Sequence, residues 1–451
     1  MNRYPQLNRH GLFDAKVPRY TSYPPANHFL PNAGHLHQRQ WLSEIPEGAA
    51  VSLYLHVPFC RRLCWFCACR TQGTQSQKPV EEYVRTLISE IGLVRSYLPE
   101  NVTISRLHIG GGTPTIITPT TMSGLLDRLF EAFGPVGSAE FSVELDPTDT
   151  TEEMLRTLAR YGMNRASVGV QDFAPRVQQA IGRLQSYEQT RTVVEILRQC
   201  NVTSLNMDLL YGLPFQTEAS LSSSLDQVLT LNPDRIALYG YAHVPWMSKR
   251  QVMIDTAMLP SSVARYELSE LARHTLLMAG FEAVGIDHFA RPGDSLAVAA
   301  KTGDLRRNFQ GYTDDTSDIL IGLGASAISK FPQGYSQNIS ATSAYTNAIR
   351  QSSLAGKRGY PLTPKDKLCA RLIEELMCTF QLDEVALQCE FPENRMDISQ
   401  SILRLIGAYP DLFDRERGIL RLKASAVPLA RIIAHSIDQF VSAKQAHSAA
   451  I

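Results

Sequence analysis

The chain has no excess of charge of either sign: 44 Lys and Arg face 44 Asp and Glu in 451 residues. That balance leaves no electrostatic footprint for nucleic acid or an anionic membrane surface. No apolar run approaches the length of a membrane span, and the opening "MNRYPQLNRHGLFDAK" lacks the apolar stretch of a secretion signal. The expectation is a cytoplasmic protein. There is no low-complexity tract. Cysteines are few: of eight, Cys200, Cys369, Cys378 and Cys389 are scattered through apparent helices and read as small buried apolar side chains. In a large unsecreted chain the cysteine pattern favours metal or redox chemistry over a disulfide framework.

What is present is a 44% hydrophobic composition, enough for a sizeable core, in a length that suits two or three domains. Strand-like apolar runs at 51–57, 104–109, 139–145, 164–170, 203–211 and 234–241 alternate with helical spacing at 80–97, 119–132, 151–161, 186–199, 217–230 and 260–279. This alternation predicts a parallel sheet with crossover helices, either an open doubly wound sheet or a curved, incomplete barrel. In both, the site lies at the carboxyl ends of the strands. The conspicuous polar and glycine residues fall there, from Cys60 after the first strand to 241–243 after the sixth. Residues 281–345 read as loop-rich, and from about 363 the chain becomes helical, with a helix–hairpin–helix pattern near its end.

The densest feature is "CRRLCWFCAC", four cysteines in ten positions: Cys60, Cys64, Cys67 and Cys69. Three thiolates on one tight loop suit three irons of a [4Fe–4S] cube, leaving one iron for a substrate's amine and carboxylate. Phe66 would shield it. The alternative is a structural zinc ion on all four thiolates, but zinc usually takes paired knuckles from separate segments, and one residue between Cys67 and Cys69 would strain the closure. "GGGTPT" (110–115) is either a tight βα turn or a place where backbone meets a ligand. Glu144 is either a ligand for hydroxyls or an amine, or a salt-bridged acid. Arg183 and Asp208 taken alone read as a solvated charge and a satisfied buried polar group. His56, His108, His243 and His288 near strand ends read as hydrogen-bonded rather than catalytic.

C-x3-C-x-aromatic-C after the first strand of a βα repeat resembles the radical S-adenosylmethionine (SAM) superfamily. Within it, "YLHVPFCRRLCWFCAC" resembles the oxygen-independent coproporphyrinogen III oxidases. So do "PRYTSYP" (18–24), "GGGTPT", "SVELDP" (142–147), "SVGVQDF" (167–173), "MDLLYGLP" (207–214), "YAHVP" (241–245), "IDHFARP" (286–292) and "RNFQGYT" (307–313), in order along nearly the whole chain. The resemblance implies an α/β fold: an incomplete (β/α)6 radical SAM barrel with an N-terminal arm and a mostly helical, winged-helix-like C-terminal domain. The divisions would be 1–48 arm, 49–280 barrel, 281–362 barrel extension and pocket loops, and 363–451 C-terminal domain. It implies that Cys60, Cys64 and Cys67 ligate a [4Fe–4S] cluster and that Cys69 acts without being a ligand. SAM would meet Tyr54, Gly111, Gly112, Thr113, Glu144 and Ile328, and a second SAM would meet Gln171, Arg183, Asp208 and Ala242.

The implied activity is conversion of two propionates of coproporphyrinogen III to vinyl groups, giving protoporphyrinogen IX. The implied donor is a flavodoxin or ferredoxin, and the implied state a monomer. Arg19, Arg291 and Arg307 are chemical candidates for the substrate's carboxylates, and Tyr20 and Tyr23 for an arm closing over it. The rival within the superfamily is a relative that acts on haem or traffics it, which usually lacks the C-x-C cysteine and "YTSYP". Two departures from the family pattern are Pro25 for a common Thr and Ala68 for a common Gly.

Overall fold

The computed structural model describes residues 4–440 and 449–451, and the chain divides into two compact units. One comprises Phe29–Leu259 and Ser317–Pro361; the other comprises Met1–His28, Pro260–Thr316 and Leu362–Ile451. Residues 29–48 thus belong with the sheet unit and 1–28 with the other. No helix among the described residues is long and apolar enough to cross a membrane.

The first unit is built on six strands, β1 Ala50–Val57, β2 Thr103–Gly111, β3 Glu140–Leu145, β4 Arg165–Gln171, β5 Ser204–Tyr211 and β6 Arg235–Gly240, each parallel to the next. Their spatial order is their chain order. A doubly wound sheet reverses direction midway, whereas a barrel keeps one sense, so the observed order selects the curved arc. The arc is not closed: the other neighbour of β1 is β7, Leu320–Leu323, which runs parallel to it. Beyond β7 lie β8 Ile328–Phe331, β9 Gly334–Asn338 and β10 Gly356–Pro361, antiparallel in turn. The expectation of a loop-rich 281–345 is therefore corrected for 320–338, and also for the helix Ser295–Thr302. β7, β8 and β9 are only four or five residues long, too short to show the apolar alternation that marks a strand.

Crossover helices α1 Lys78–Arg95, α2 Pro119–Phe133, α3 Glu152–Arg160, α4 Tyr187–Gln199 and α5 Glu218–Thr230 start on capping residues or on proline. Thr118, Thr151, Ser186 and Thr217 each accept a hydrogen bond from a first-turn N–H, and Ser186 and Thr217 form capping boxes. Alternate strand residues on one face are polar, namely Tyr54, His56, His108, Ser142, Glu144, Ser167, Asn206 and Asp208, while their neighbours Leu53, Leu55, Leu107, Val143, Val168 and Met207 are buried beneath the helices.

The second unit has its own apolar core, joining Leu7, Leu12, Val17, Tyr20 and Tyr23 of the arm to Leu372, Leu376, Ile402 and Leu429. Helix Arg395–Ala408, the hairpin Phe413–Glu416/Ile419–Leu422 and helix Ala430–His435 follow the winged-helix pattern, with Gln381–Asp383 as a third strand. Buried Arg431 grips the arm through the carbonyls of Val17 (2.7 Å) and Pro18 (3.3 Å). Tyr20 donates to Asp438 at 2.9 Å, and Gln439 N–H donates to the Tyr23 hydroxyl at 3.0 Å. Both tyrosines are therefore anchors within this unit. Of the scattered cysteines, Cys369 and Cys378 are buried as expected. Cys200 is only partly covered at a helix end and Cys389 is exposed, so the expectation fails for those two.

Candidate active site

The cysteine loop leaves β1 and is closed at its neck by a short parallel ladder, Phe59–Cys60 against Gln72–Gly73. Gln72 N–H donates to Pro58 O at 2.7 Å and Thr74 N–H to Cys60 O at 3.0 Å. Trp65 N–H donates to Ile181 O at 2.9 Å, and the indole lies over Gly182, where a Cβ would come within 2.7 Å of the ring. The loop is thus fixed at its neck and at its tip. All its cysteines are free thiols. Cys69 N–H approaches Cys67 Sγ at 3.4 Å. The Cys69 thiol also bonds to that sulfur, which lowers the Cys67 pKa and raises that of Cys69. Burial pushes Cys60 up to about 11.

"GGGTPT" ends β2 against this loop, and close approach explains its glycines. A Cβ on Gly112 would sit 2.5 Å from Phe59 O and 2.9 Å from Cys60 Sγ; on Gly110 it would meet the Glu144 carboxyl at 2.6 Å; on Gly111, at φ +116°, the His56 ring at 2.7 Å. Gly112 N–H and Thr113 N–H donate to Val57 O and Phe59 O, both at 2.8 Å. The turn is therefore more than a tight βα connection, because it brings backbone up to a thiol and a carboxylate.

Glu144 accepts from Gly111 N–H (3.0 Å) and pairs with His108 Nε2 (3.1 Å). Burial alone would raise its pKa. The His108 hydrogen bond and charge, with Gly111 N–H, outweigh this and hold it below the usual range. His108 is set by Ser142 Oγ at 3.0 Å and by the Tyr54 ring stacked on it at 5.7 Å. The Tyr54 hydroxyl bonds to His56 Nδ1 at 2.9 Å. Burial raises the Tyr54 pKa, and the charges of Glu144 and Cys69 add to it. Ile328 enters from the far side: Gly322 lies beside Tyr54 and packs on the Ile328 backbone.

The other half of the face is held differently. Arg183 is no solvated charge. It is buried, donating to Asp146 Oδ2 at 3.0 Å and Gly169 O at 2.7 Å and reaching Cys64 Sγ at 3.5 Å. Asp208 accepts from Ser167 Oγ at 2.9 Å and Asn206 Nδ2 at 2.8 Å. A bulge between Gly169 and Gln171, with Gln171 at φ +69°, re-aims Gln171 at the strand end. Ala242 O accepts from Gln251 at 3.1 Å. Each histidine is hydrogen-bonded as expected, His243 to Tyr241 and Thr256 and His288 to Asp287. Sequence reading missed Ser142, Ser167, Asn206 and Gln251. The first three repeat polar residues at every second strand position, a signal that was there to find.

No three His, Cys, Asp or Glu among the described residues converge on a single metal ion. The donors suit a group larger than an ion. Three thiols lie on one closed loop, a glycine backbone lies against Cys60, and the cationic Arg183 and Arg250 lower Cys67. Together they fit a cluster bound by thiolates.

The Radical SAM superfamily model matches residues 54–228. An oxygen-independent coproporphyrinogen III oxidase of Paracoccus denitrificans is 49% identical over 100% of both chains. That of Cereibacter sphaeroides is 50% identical over 98% of each. Among solved structures, the coproporphyrinogen III oxidase of Escherichia coli, a radical SAM enzyme, superimposes with a TM-score of 0.89 at 35% identity, over 95% of this chain and 100% of that one.

Proposed function

This chain belongs to the oxygen-independent coproporphyrinogen III oxidases of the radical SAM superfamily, and from that premise we propose how its residues divide the work. The enzyme carries out anaerobic oxidative decarboxylation of two propionates of coproporphyrinogen III, giving protoporphyrinogen IX for haem biosynthesis, with a [4Fe–4S] cluster and SAM. When bound, these supply one-electron chemistry that takes a hydrogen from the propionate β-carbon, after which an electron and carbon dioxide leave and a vinyl group remains, with methionine and 5′-deoxyadenosine released.

Cys60, Cys64 and Cys67 hold the cluster. The observation that carries this assignment is Gly112, whose backbone lies so close to Cys60 Sγ that any side chain would displace it. Gly111, Gly112, Thr113 and the ionised Glu144 receive SAM's amino-acid end and ribose, with Tyr54 and Ile328 beside them. Glu144 suits an ammonium or hydroxyl donor because His108 and Gly111 keep it charged. Gln171, Asp208 and Ala242 border the second SAM. Arg183 orients that region through Asp146 and Gly169. Cys69, bonded to Cys67 and within the field of Glu144, acts in the site without ligating iron.

Of the three arginine candidates, Arg291 lies 4.1 Å over the Phe281 ring and donates to Ala279 O, bracing its own hairpin. Arg307 stacks at 4.2 Å on Tyr312 and donates to Tyr20 O and Arg19 O. Because Arg307 donates to the Arg19 carbonyl at 3.0 Å, the two arginines lie together as a cationic pair suited to propionate. The enzyme works as a cytoplasmic monomer reduced by a flavodoxin or ferredoxin.

The test is anaerobic turnover. Protein reconstituted with iron and sulfide receives dithionite, SAM and coproporphyrinogen III, and porphyrins are followed by chromatography and mass. Loss of two carboxyl groups with 5′-deoxyadenosine release, abolished in Cys64→Ala, is the expected result. Deoxyadenosine without decarboxylation would move the substrate elsewhere, with haem the next compound to try.

A further inference from the structure

Beyond β6 the chain makes a short 3-10 turn, Lys249–Met253, whose function none of the assigned ligand positions explains. Three polar side chains at its start reach back to one stretch of the cysteine loop. Ser248 Oγ donates to Cys67 O at 2.9 Å. Arg250 donates to Thr71 Oγ1 at 2.7 Å and also to Thr71 O. Gln251 Nε2 donates to Phe66 O at 2.8 Å and to Ala242 O at 3.1 Å, while its Oε1 accepts from Val244 N–H at 2.5 Å. Gln251 is 0% exposed. The amide therefore has a fixed orientation, its oxygen toward the only N–H donor and its nitrogen toward two carbonyls. Buried, it has no water to replace a lost partner.

The amino-terminal part of the loop is held by other means, the Phe59–Cys60 ladder and the Trp65–Ile181 bond. Residues 66–71, which carry Cys67 and Cys69, are held by the 248–251 turn at Phe66, Cys67 and Thr71 and by the His56 ring at Arg70 O, 3.3 Å away. We infer that Gln251 is a positioning residue: it latches the carboxyl half of the cysteine loop to the β6 exit and sets the spacing between Cys67 and Ala242. The inference rests on Cys67 being a cluster ligand and Ala242 a SAM neighbour. A one-amide link then joins the cluster loop to the second SAM segment, so a shift in either is felt by the other.

Gln251→Met keeps the volume and removes all three hydrogen bonds. Gln251→Glu keeps the acceptor for Val244 and sets a carboxylate against the two carbonyls. In the iron-free full chain, anaerobic alkylation mapped by mass spectrometry should speed up about tenfold at Cys67 in both variants, the effect of roughly one buried hydrogen bond. Cys60, Cys378 and Cys389 should keep their rates. In reconstituted protein, iron and sulfide should be retained, the KM for SAM should rise about tenfold with kcat within about twofold, and the SAM-induced change in the reduced cluster's electron paramagnetic resonance spectrum should weaken. Faster labelling at every cysteine would mean general loosening and would overturn the inference, as would an unchanged Cys67 rate. If Gln251→Met does not fold, Gln251→Glu, which keeps the acceptor for Val244 N–H, carries the test alone, and an unchanged Cys67 rate in it would equally overturn the inference. Cys67→Ala separates the premise: a full cluster in that variant would refute the ligand assignment, while the labelling result would still judge the latch.

Discussion

Two pairs of buried carboxylates in the sheet unit behave in opposite ways. On the inner face, Glu144 and Asp146 are held below the ordinary carboxylate range; on the flanks, Glu90 and Asp172 are pushed above it, Glu90 to about 7. Burial raises all four, and all four accept hydrogen bonds, so neither burial nor hydrogen-bond number decides. The partners' charge does. Glu144 faces His108, a cation when protonated, and Asp146 faces the permanent charge of Arg183 at 3.0 Å. Glu90 accepts only from neutral groups, the Tyr345 hydroxyl (2.7 Å), Gly324 N–H (2.6 Å) and the Asn338 amide (2.8 Å). Asp172 likewise takes Ser224, Gln216 and Ala174 N–H. A neutral donor helps a carboxylate but does not replace the solvation lost on burial, whereas a cation does. Glu144 and Asp146 are thus kept charged, and Glu90 and Asp172 serve as hydrogen-bonded pegs.

Removing a cation is the strongest way to break this contrast. Arg183→Met leaves Asp146 buried with only Arg62, 3.6 Å away and partly exposed, to offset its charge. The expected cost is about 3 kcal/mol, the range for stranding one partner of a buried pair, read as a lower denaturation midpoint. Iron loading should fall too, since Arg183 reaches Cys64. A midpoint unchanged within error would show that Arg62 alone suffices. Next in size is Glu144→Gln, which keeps the shape and removes the charge. If the charge is what SAM meets, the KM for SAM should rise about thirtyfold, roughly the 2 kcal/mol of a charge-assisted hydrogen bond, with iron content unchanged. An unaltered KM would demote Glu144 to a structural acid.

How much of this was legible follows from sequence separation. Cys60, Cys64 and Cys67, the glycines at 110–112 and Glu144 announce themselves because their chemistry depends on local spacing and strand ends. The βα alternation announced the crossovers, though not the spatial order that chose barrel over doubly wound sheet. Order is a statement about partners, and β1 lies beside β7, some 260 residues later. The same limit hid Arg183 with Asp146, Gln251 with Phe66 and Glu90 with Gly324. In each case one buried polar side chain is meaningless until its distant partner is known. Ser142 and Asn206 were different: their two-residue alternation with Glu144 and Asp208 was visible and points to a polar inner face.

The smallest expected cost of a substitution, that of Glu90→Gln, tests the flank half of the contrast. Glu90 titrates from 4.5 in the open chain to about 7 in the folded one, burial being the main cause. A carboxyl with a raised folded pKa binds more protons folded than unfolded between those values. Stability is therefore full below about pH 4.5 and declines as pH rises through 7, by no more than about 1.4 kcal/mol per pH unit. Glu144 and Asp146, with lowered values, contribute in the opposite sense only at acid pH, where their stabilisation is lost as they protonate, so they leave the window above pH 5 to groups like Glu90. Denaturation of iron-free protein at pH 5, 6, 7 and 8 should show the decline. Glu90→Gln should flatten it, at a cost of about 1 kcal/mol at pH 5, because the amide nitrogen loses one of the three donors the carboxyl accepts. Since Gly324 N–H is one of these, and the β7–β8 turn leads to Ile328, the SAM KM should follow the same trend weakly. If the slope persists in Glu90→Gln, the peg is already ionised at neutral pH, and neutral donors would have matched the cations after all.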